Sequence, residues 1–175
     1  MNTIRNLVVE LPIIKIGHTT LRKEAERVDV FDDKLENFVR DLFETMKINE
    51  GIGLAATQVN VRKQVFVIDK SLIQEEWSPQ AYVNPEIIES YGTETLEEGC
   101  LSIPGIRAEV DRPFTIKVKY QNLKGETIYE ELEGLYARVF QHEHDHLHGI
   151  LFIDRIDQLK RKLLEPQIKE IEGVY

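Results

Sequence analysis

Apolar residues first recur at helical spacing between positions 34 and 50. Leu35, Phe38, Val39, Leu42, Phe43 and Met46 fall three and four apart, which gives a helix one apolar face. Asp32 or Asp33 can cap its start, and Gly51 is expected to end it. Residues 1–33 carry little periodicity. After the helix, the segment GIGLAATQ at 51–58 is small and glycine-poised. QVFVID at 64–69 is apolar through its centre and predicts a buried strand. Residues 77–80 read as loop. A strand over 81–90 is broken by Pro85, which has no N–H to offer a ladder.

From 105 to 133 the texture becomes β. TIKVKY at 115–120 alternates and predicts a half-buried strand. NLKG at 122–125 predicts a turn, and 126–132 returns as its hairpin partner. Gly134 begins a second helix, 135–148, closed by Gly149. Residues 155–171 predict a last helix with its polar face in solvent. Strands in the middle with helices at the edges make an α+β fold. The 175 residues fit one catalytic domain, 1–175, in which 155–175 form the C-terminal helix.

Composition narrows the functional classes. A net charge of −9 disfavours general nucleic-acid binding, since phosphate backbones need a positive surface. No window approaches the run of roughly 20 apolar residues that spans a membrane. Glu10 interrupts the N-terminal apolar stretch, so no signal peptide is read and a cytoplasmic protein is expected. The lone cysteine, Cys100, cannot form an internal disulfide.

Four of the five histidines stand at 142, 144, 146 and 148. On a helix they split into two i,i+4 pairs, His142 with His146 and His144 with His148, and either pair can meet one metal ion. Leu135, Val139, His142 and His146 form one stripe expected to point toward the core. His144 and His148 share a more polar arc with Ala137 and Gln141. HEHDH at 142–146 also satisfies the His-Glu-x-x-His pattern, whose glutamate can deprotonate a metal-activated water. The rival frame at 144–148 offers a shorter aspartate. Exposed histidines capping a helix are the plain alternative.

A catalytic divalent ion usually takes three protein ligands and keeps an open position. A third histidine six residues on is excluded, because that position is Phe152. Glu165 and Glu170 lie downstream in a stretch that looks solvated. Cys100 is the other candidate, since a thiolate suits a borderline metal. A His-Glu-x-x-His metallopeptidase and a non-catalytic domain with a structural metal are the alternative readings.

Three segments in order, GIGLAATQ at 51–58, EGCLS at 98–102 and HEHDH at 142–146, resemble the peptide deformylase family, bacterial type. Gln141, Leu147 and Gly149 extend the likeness, which spans about 15–155. The resemblance implies antiparallel sheets around a central helix that carries both histidines. It implies removal of the N-formyl group from the formyl-methionine of nascent polypeptides, with release of formate. Cys100, His142 and His146 then hold one divalent metal. Fe(II) is the expected native ion, with Zn(II), Ni(II) or Co(II) as alternatives. Glu143 moves the proton from water to the leaving amine, while the Gln58 amide and the Leu101 backbone N–H stabilise the developing oxyanion.

In the same resemblance the Gly53 backbone and Arg107 meet the peptide. Ile52, Leu135 and Val139 line a methionine pocket, with Arg138 at its rim. Glu98 is expected to pair with Arg112 and fix the cysteine loop. N-formylmethionyl nascent peptides are the expected partners, met near the ribosomal exit tunnel, with no specific nucleic acid and no membrane. GHTTLR at 17–22 departs from the family, where a proline-rich turn is common.

Overall fold

The computed structural model describes residues 7–174. Helix α1 covers Asp33–Ile48. Asp32 caps it, its carboxylate accepting from the Leu35 N–H at 3.0 Å. Leu42 and Met46 on its apolar face are fully buried, each contributing about 1.5–3 kcal/mol by leaving water. The end of the helix differs from expectation. Glu50, not Gly51, takes the left-handed conformation, at φ 56°. Gly51 N–H returns to the Met46 carbonyl and Glu50 N–H to the Lys47 carbonyl, a Schellman ending with Glu50 as its turning residue. Gly51 is needed for space instead, since a Cβ there would lie 2.9 Å from Leu101 Cδ1.

Seven strands follow among the described residues: β1 (Gly53–Ala55), β2 (Val65–Ile68), β3 (Gln80–Tyr91), β4 (Glu94–Cys100), β5 (Ile103–Arg112), β6 (Thr115–Gln121) and β7 (Thr127–Glu133). One antiparallel sheet runs β1-β2-β3-β6-β7, so β1 is an edge strand; β4 and β5 form a second, two-stranded sheet. Pro85 does not break β3. The register shifts between Val83 and Glu86, and Asn84 sits at φ 50°. The Asn84 side chain both accepts from Val28 N–H and donates to Val28 C=O, each at 2.8 Å, so a side chain does a strand's pairing at the bulge.

Helix α2 (Gly134–Leu147) is the centre of the molecule. Every residue from Tyr136 to Gln141 is buried, so this stretch of the helix is covered around its circumference. Phe140 meets Phe66 and Tyr82 edge-on, with centroids 5.0 and 5.2 Å apart, and so locks α2 to β2 and β3. Gly149 closes the helix at φ 69°, as its position predicts. Helix α3 (Gln158–Glu172) packs on β5 through Ile168 and leaves Leu159 and Leu163 exposed. The α+β reading therefore stands, with antiparallel sheets around the histidine-bearing helix. Among the described residues, no helix is long and apolar enough to cross a membrane.

Candidate metal centre

Two elements build the centre. On α2, His142 and His146 are one turn apart, with ring centroids separated by 5.0 Å. Cys100 ends β4, where the β4–β5 register breaks between Gly99 and Cys100 and turns the thiol toward the helix. The candidate ligand atoms of Cys100, His142 and His146 all lie within 4.8 Å of one another, and Cys100 Sγ is 3.4 Å from His146 Nε2. One thiolate and two imidazoles suit a borderline divalent ion and leave a position for water. With Cys100 as third donor, a downstream carboxylate such as Glu165 has no part in the cluster.

Glu98 organises this donor set. Its Oε2 lies 2.9 Å from His142 Nδ1, which leaves Nε2 free to ligate. Arg112 grips the same carboxylate twice, Nε to Oε1 at 2.5 Å and NH2 to Oε2 at 3.0 Å. Arg138 NH1 adds a third donor at 2.8 Å. Burial alone would favour the neutral acid, but hydrogen bonds from His142 and Arg112 hold Glu98 well below the usual carboxylate range. Behind it, Arg112 NH1 reaches Asp145 Oδ2 at 2.9 Å, and Arg155 Nε reaches the same oxygen at 2.5 Å. The expected Glu98–Arg112 pair is present.

Glu143 follows the first ligand on α2 and is buried. Burial is the main cause that pushes its carboxyl up to about 7, although the His142 charge opposes this. Its Oε2 and His146 Nδ1 are buried without a hydrogen-bond partner among the described residues. Gly53 faces Glu143 so closely that a Cβ would lie 2.7 Å from Oε1. Gln58 is oriented by its own backbone neighbour, since Oε1 accepts from Ala55 N–H at 2.9 Å. Its Nε2 then points to Ser102 Oγ at 3.1 Å and Cys100 Sγ at 3.5 Å.

A cavity of about 670 Å³ opens over this cluster. Gln58, Cys100, Leu101, His142 and Glu143 line it, together with Ile52, Gly53, Arg107, Leu135 and Val139. Every residue expected to contact metal or substrate thus borders the cavity except His146, which is buried behind it. Arg107 is exposed and bonds Glu97 Oε1 at 2.7 Å through Nε.

Three expectations need correction. The Leu135–His146 stripe does not point wholly into the core. Leu135 is 45% exposed because the stripe faces an open cavity. The arc of His144 and His148 is less open than its polar character suggests, although His148 itself is exposed. Ala137 and Gln141 on it are buried, because the five-stranded sheet covers that side of α2. Arg138 lines the cavity, as expected, but as a buried residue and not at an open rim. Its guanidinium donates to Glu98, to Val110 C=O at 2.9 Å and to Glu94 C=O at 2.5 Å. Sequence reasoning missed the contact from Glu98 to His142, the Asp145 link and Ser102. A charged residue inside the apolar run Ala137–Phe140 was the available signal for Arg138.

The polypeptide deformylase family model matches residues 10–162. Over 156 residues the chain is 49% identical to the peptide deformylase of Thermotoga petrophila, covering 89% of this chain and 92% of that one. The crystal structure of peptide deformylase from Thermotoga maritima superposes with a TM-score of 0.81 at 48% identity, over 85% of this chain and 99% of that one. A peptide deformylase from Synechococcus elongatus, solved in complex with actinonin, superposes with a TM-score of 0.86 at 40% identity, over 94% and 90%.

Proposed function

The chain belongs to the peptide deformylase family, and from that premise we propose how its own residues carry the reaction. It is a metal-dependent hydrolase that removes the N-formyl group from nascent peptides. The observation that carries the residue assignment is convergence. Gln58, Cys100, His142 and Glu143 come from three separate segments and line one cavity.

Cys100, His142 and His146 are the metal ligands in this reading. Fe(II) is the ion we assign, with Zn(II), Ni(II) or Co(II) as working substitutes. When bound, such an ion supplies Lewis acidity toward water and the formyl oxygen. Glu98 keeps His142 in the tautomer that ligates, through Nδ1. Glu143 accepts the proton of the attacking water at Oε2, the oxygen with no partner among the described residues, and passes it to the leaving amine. Gln58 Nε2 and the Leu101 N–H donate to the oxygen on which charge develops. Lys15 steadies the Leu101 segment, its Nζ donating to Leu101 C=O at 3.0 Å.

The peptide enters as an added strand. β1 starts at Gly53 and lies at the sheet edge, so main-chain hydrogen bonds are available there without regard to the peptide's sequence. The methionine side chain occupies the apolar part of the cavity, between Ile52, Leu135 and Val139, where a flexible thioether packs well. Arg107, across the cavity on β5, meets the peptide beyond its first residue. The chain acts as one catalytic domain. A nascent formylmethionyl chain as substrate places the work in the cytoplasm, near the ribosomal exit tunnel.

The test is formate release from a formyl-Met tripeptide by protein purified without oxygen and supplied with Fe(II) or Ni(II). The reading expects rapid release, and much slower release of acetate from the acetyl peptide. No formate from protein carrying one metal per chain would overturn it.

A further inference from the structure

His144 and His148 form a second pair on α2, directed away from the cavity. Their ring centroids are 4.6 Å apart, and their Nε2 atoms approach to 3.3 Å. Two nitrogens bound to one zinc at tetrahedral angles, with Zn–N of about 2.0–2.1 Å, stand about 3.3 Å apart. The pair therefore already has the bite of a metal chelate.

The surroundings hold both rings in that pose. His148 Nδ1 lies 3.6 Å from Glu24 Oε1, and the Glu24 backbone is bridged to His148. A carboxylate at Nδ1 favours the tautomer whose Nε2 carries the free lone pair. On the other ring, Phe140 stacks on His144 at 15° between planes. The nearby cation, Arg155, is already balanced by Asp145, at 2.5 Å from Nε to Oδ2 and 2.6 Å from NH2 to Oδ1. The His148 side chain is 37% exposed, which leaves room for water to complete a coordination shell.

We propose that His144 and His148 form a second, exchangeable site for an imidazole-preferring divalent ion such as Zn(II), with Glu24 as the carboxylate that orients His148. It is separate from the Cys100 centre, because its two ligand nitrogens lie on the opposite arc of the helix. The protein therefore takes up more than one transition-metal ion per chain when free metal is abundant.

The test uses the zinc-loaded holoenzyme, dialysed to equilibrium against micromolar free zinc. Wild type should hold one more zinc per chain than His148→Gln or His144→Gln. The ring signals of His144 and His148 should shift in the NMR spectrum as the extra zinc binds. All three proteins should release formate at similar rates. His144 is partly covered, so the exposed His148→Gln change is decisive if the other variant fails to fold. Equal zinc content in wild type and His148→Gln would overturn the proposal. So would zinc binding that leaves both ring signals unmoved.

Discussion

Glu98 Oε2 lies 2.9 Å from His142 Nδ1, while Arg112 holds both oxygens of the same carboxylate. One buried anion therefore fixes a candidate metal ligand and anchors the strand that delivers Cys100. Replacing Glu98 with Gln keeps the shape and removes the charge. Metal affinity measured by chelator competition should fall about 10- to 100-fold. Glu98→Ala would leave the buried Arg112 and Arg138 facing no carboxylate there, at a cost of about 3–5 kcal/mol in denaturant unfolding. Unchanged metal affinity in Glu98→Ala would contradict this role.

Gly53 is set by the space Glu143 needs. A Cβ at this position would stand 2.7 Å from Oε1 and 2.9 Å from Cγ of that side chain. Gly53→Ala must therefore displace the carboxylate while leaving the core packing alone. We expect kcat/KM for formate release to drop about 100-fold, the scale of a small misplacement of a reacting group. The thermal transition should move little. A fully active Gly53→Ala enzyme would sink the assignment.

Gln58 is aimed by the Ala55 N–H, so its Nε2 is committed to the metal side of the cavity. Gln58→Ala should lower kcat about 100- to 1,000-fold, as expected for loss of one oxyanion donor. KM should change much less. A variant that raised KM alone would show Gln58 binding substrate and not the transition state.

Asp154 tests the electrostatics away from the centre. Burial works against its charge, but Arg22, the Leu151 N–H and Arg161 outweigh it and lower its pKa from the ordinary 3.8. A depressed carboxylate adds stability above its ordinary pKa, and that stability is lost as pH falls through the folded value. Asp154→Asn should cost about 2 kcal/mol at neutral pH. The difference from wild type should shrink once the pH drops below 3.8. Denaturant melts at pH 7 and pH 3 give both numbers, and a gap that persists at low pH would count against the ion pair.

Much of this was legible in the chain because periodicity reports burial. The apolar face of α1, the alternation of β6 and the run of β2 all appear where the pattern put them. β4 was missed because only Glu98 of Glu94–Cys100 is buried and the segment shows no alternation. Its pairing with β5 is a long-range fact that local pattern does not carry. The end of α1 misled because glycine is the usual left-handed residue, whereas here Glu50 takes that conformation and Gly51 makes room for Leu101. At the centre, residue types and spacing picked out the candidate donors that the fold brings within 4.8 Å of one another. They could not reveal that Glu98 touches His142 across 44 positions. The burial of Arg138 was signalled only by its apolar neighbours Ala137, Val139 and Phe140.

The most direct test of the account compares metal content and formate release in wild type and Glu143→Ala, both loaded without oxygen. The account predicts one ion per chain at the Cys100 centre in each protein, and formate release slowed about 100- to 10,000-fold in the variant. A metal-loaded Glu143→Ala enzyme working at the wild-type rate would contradict it.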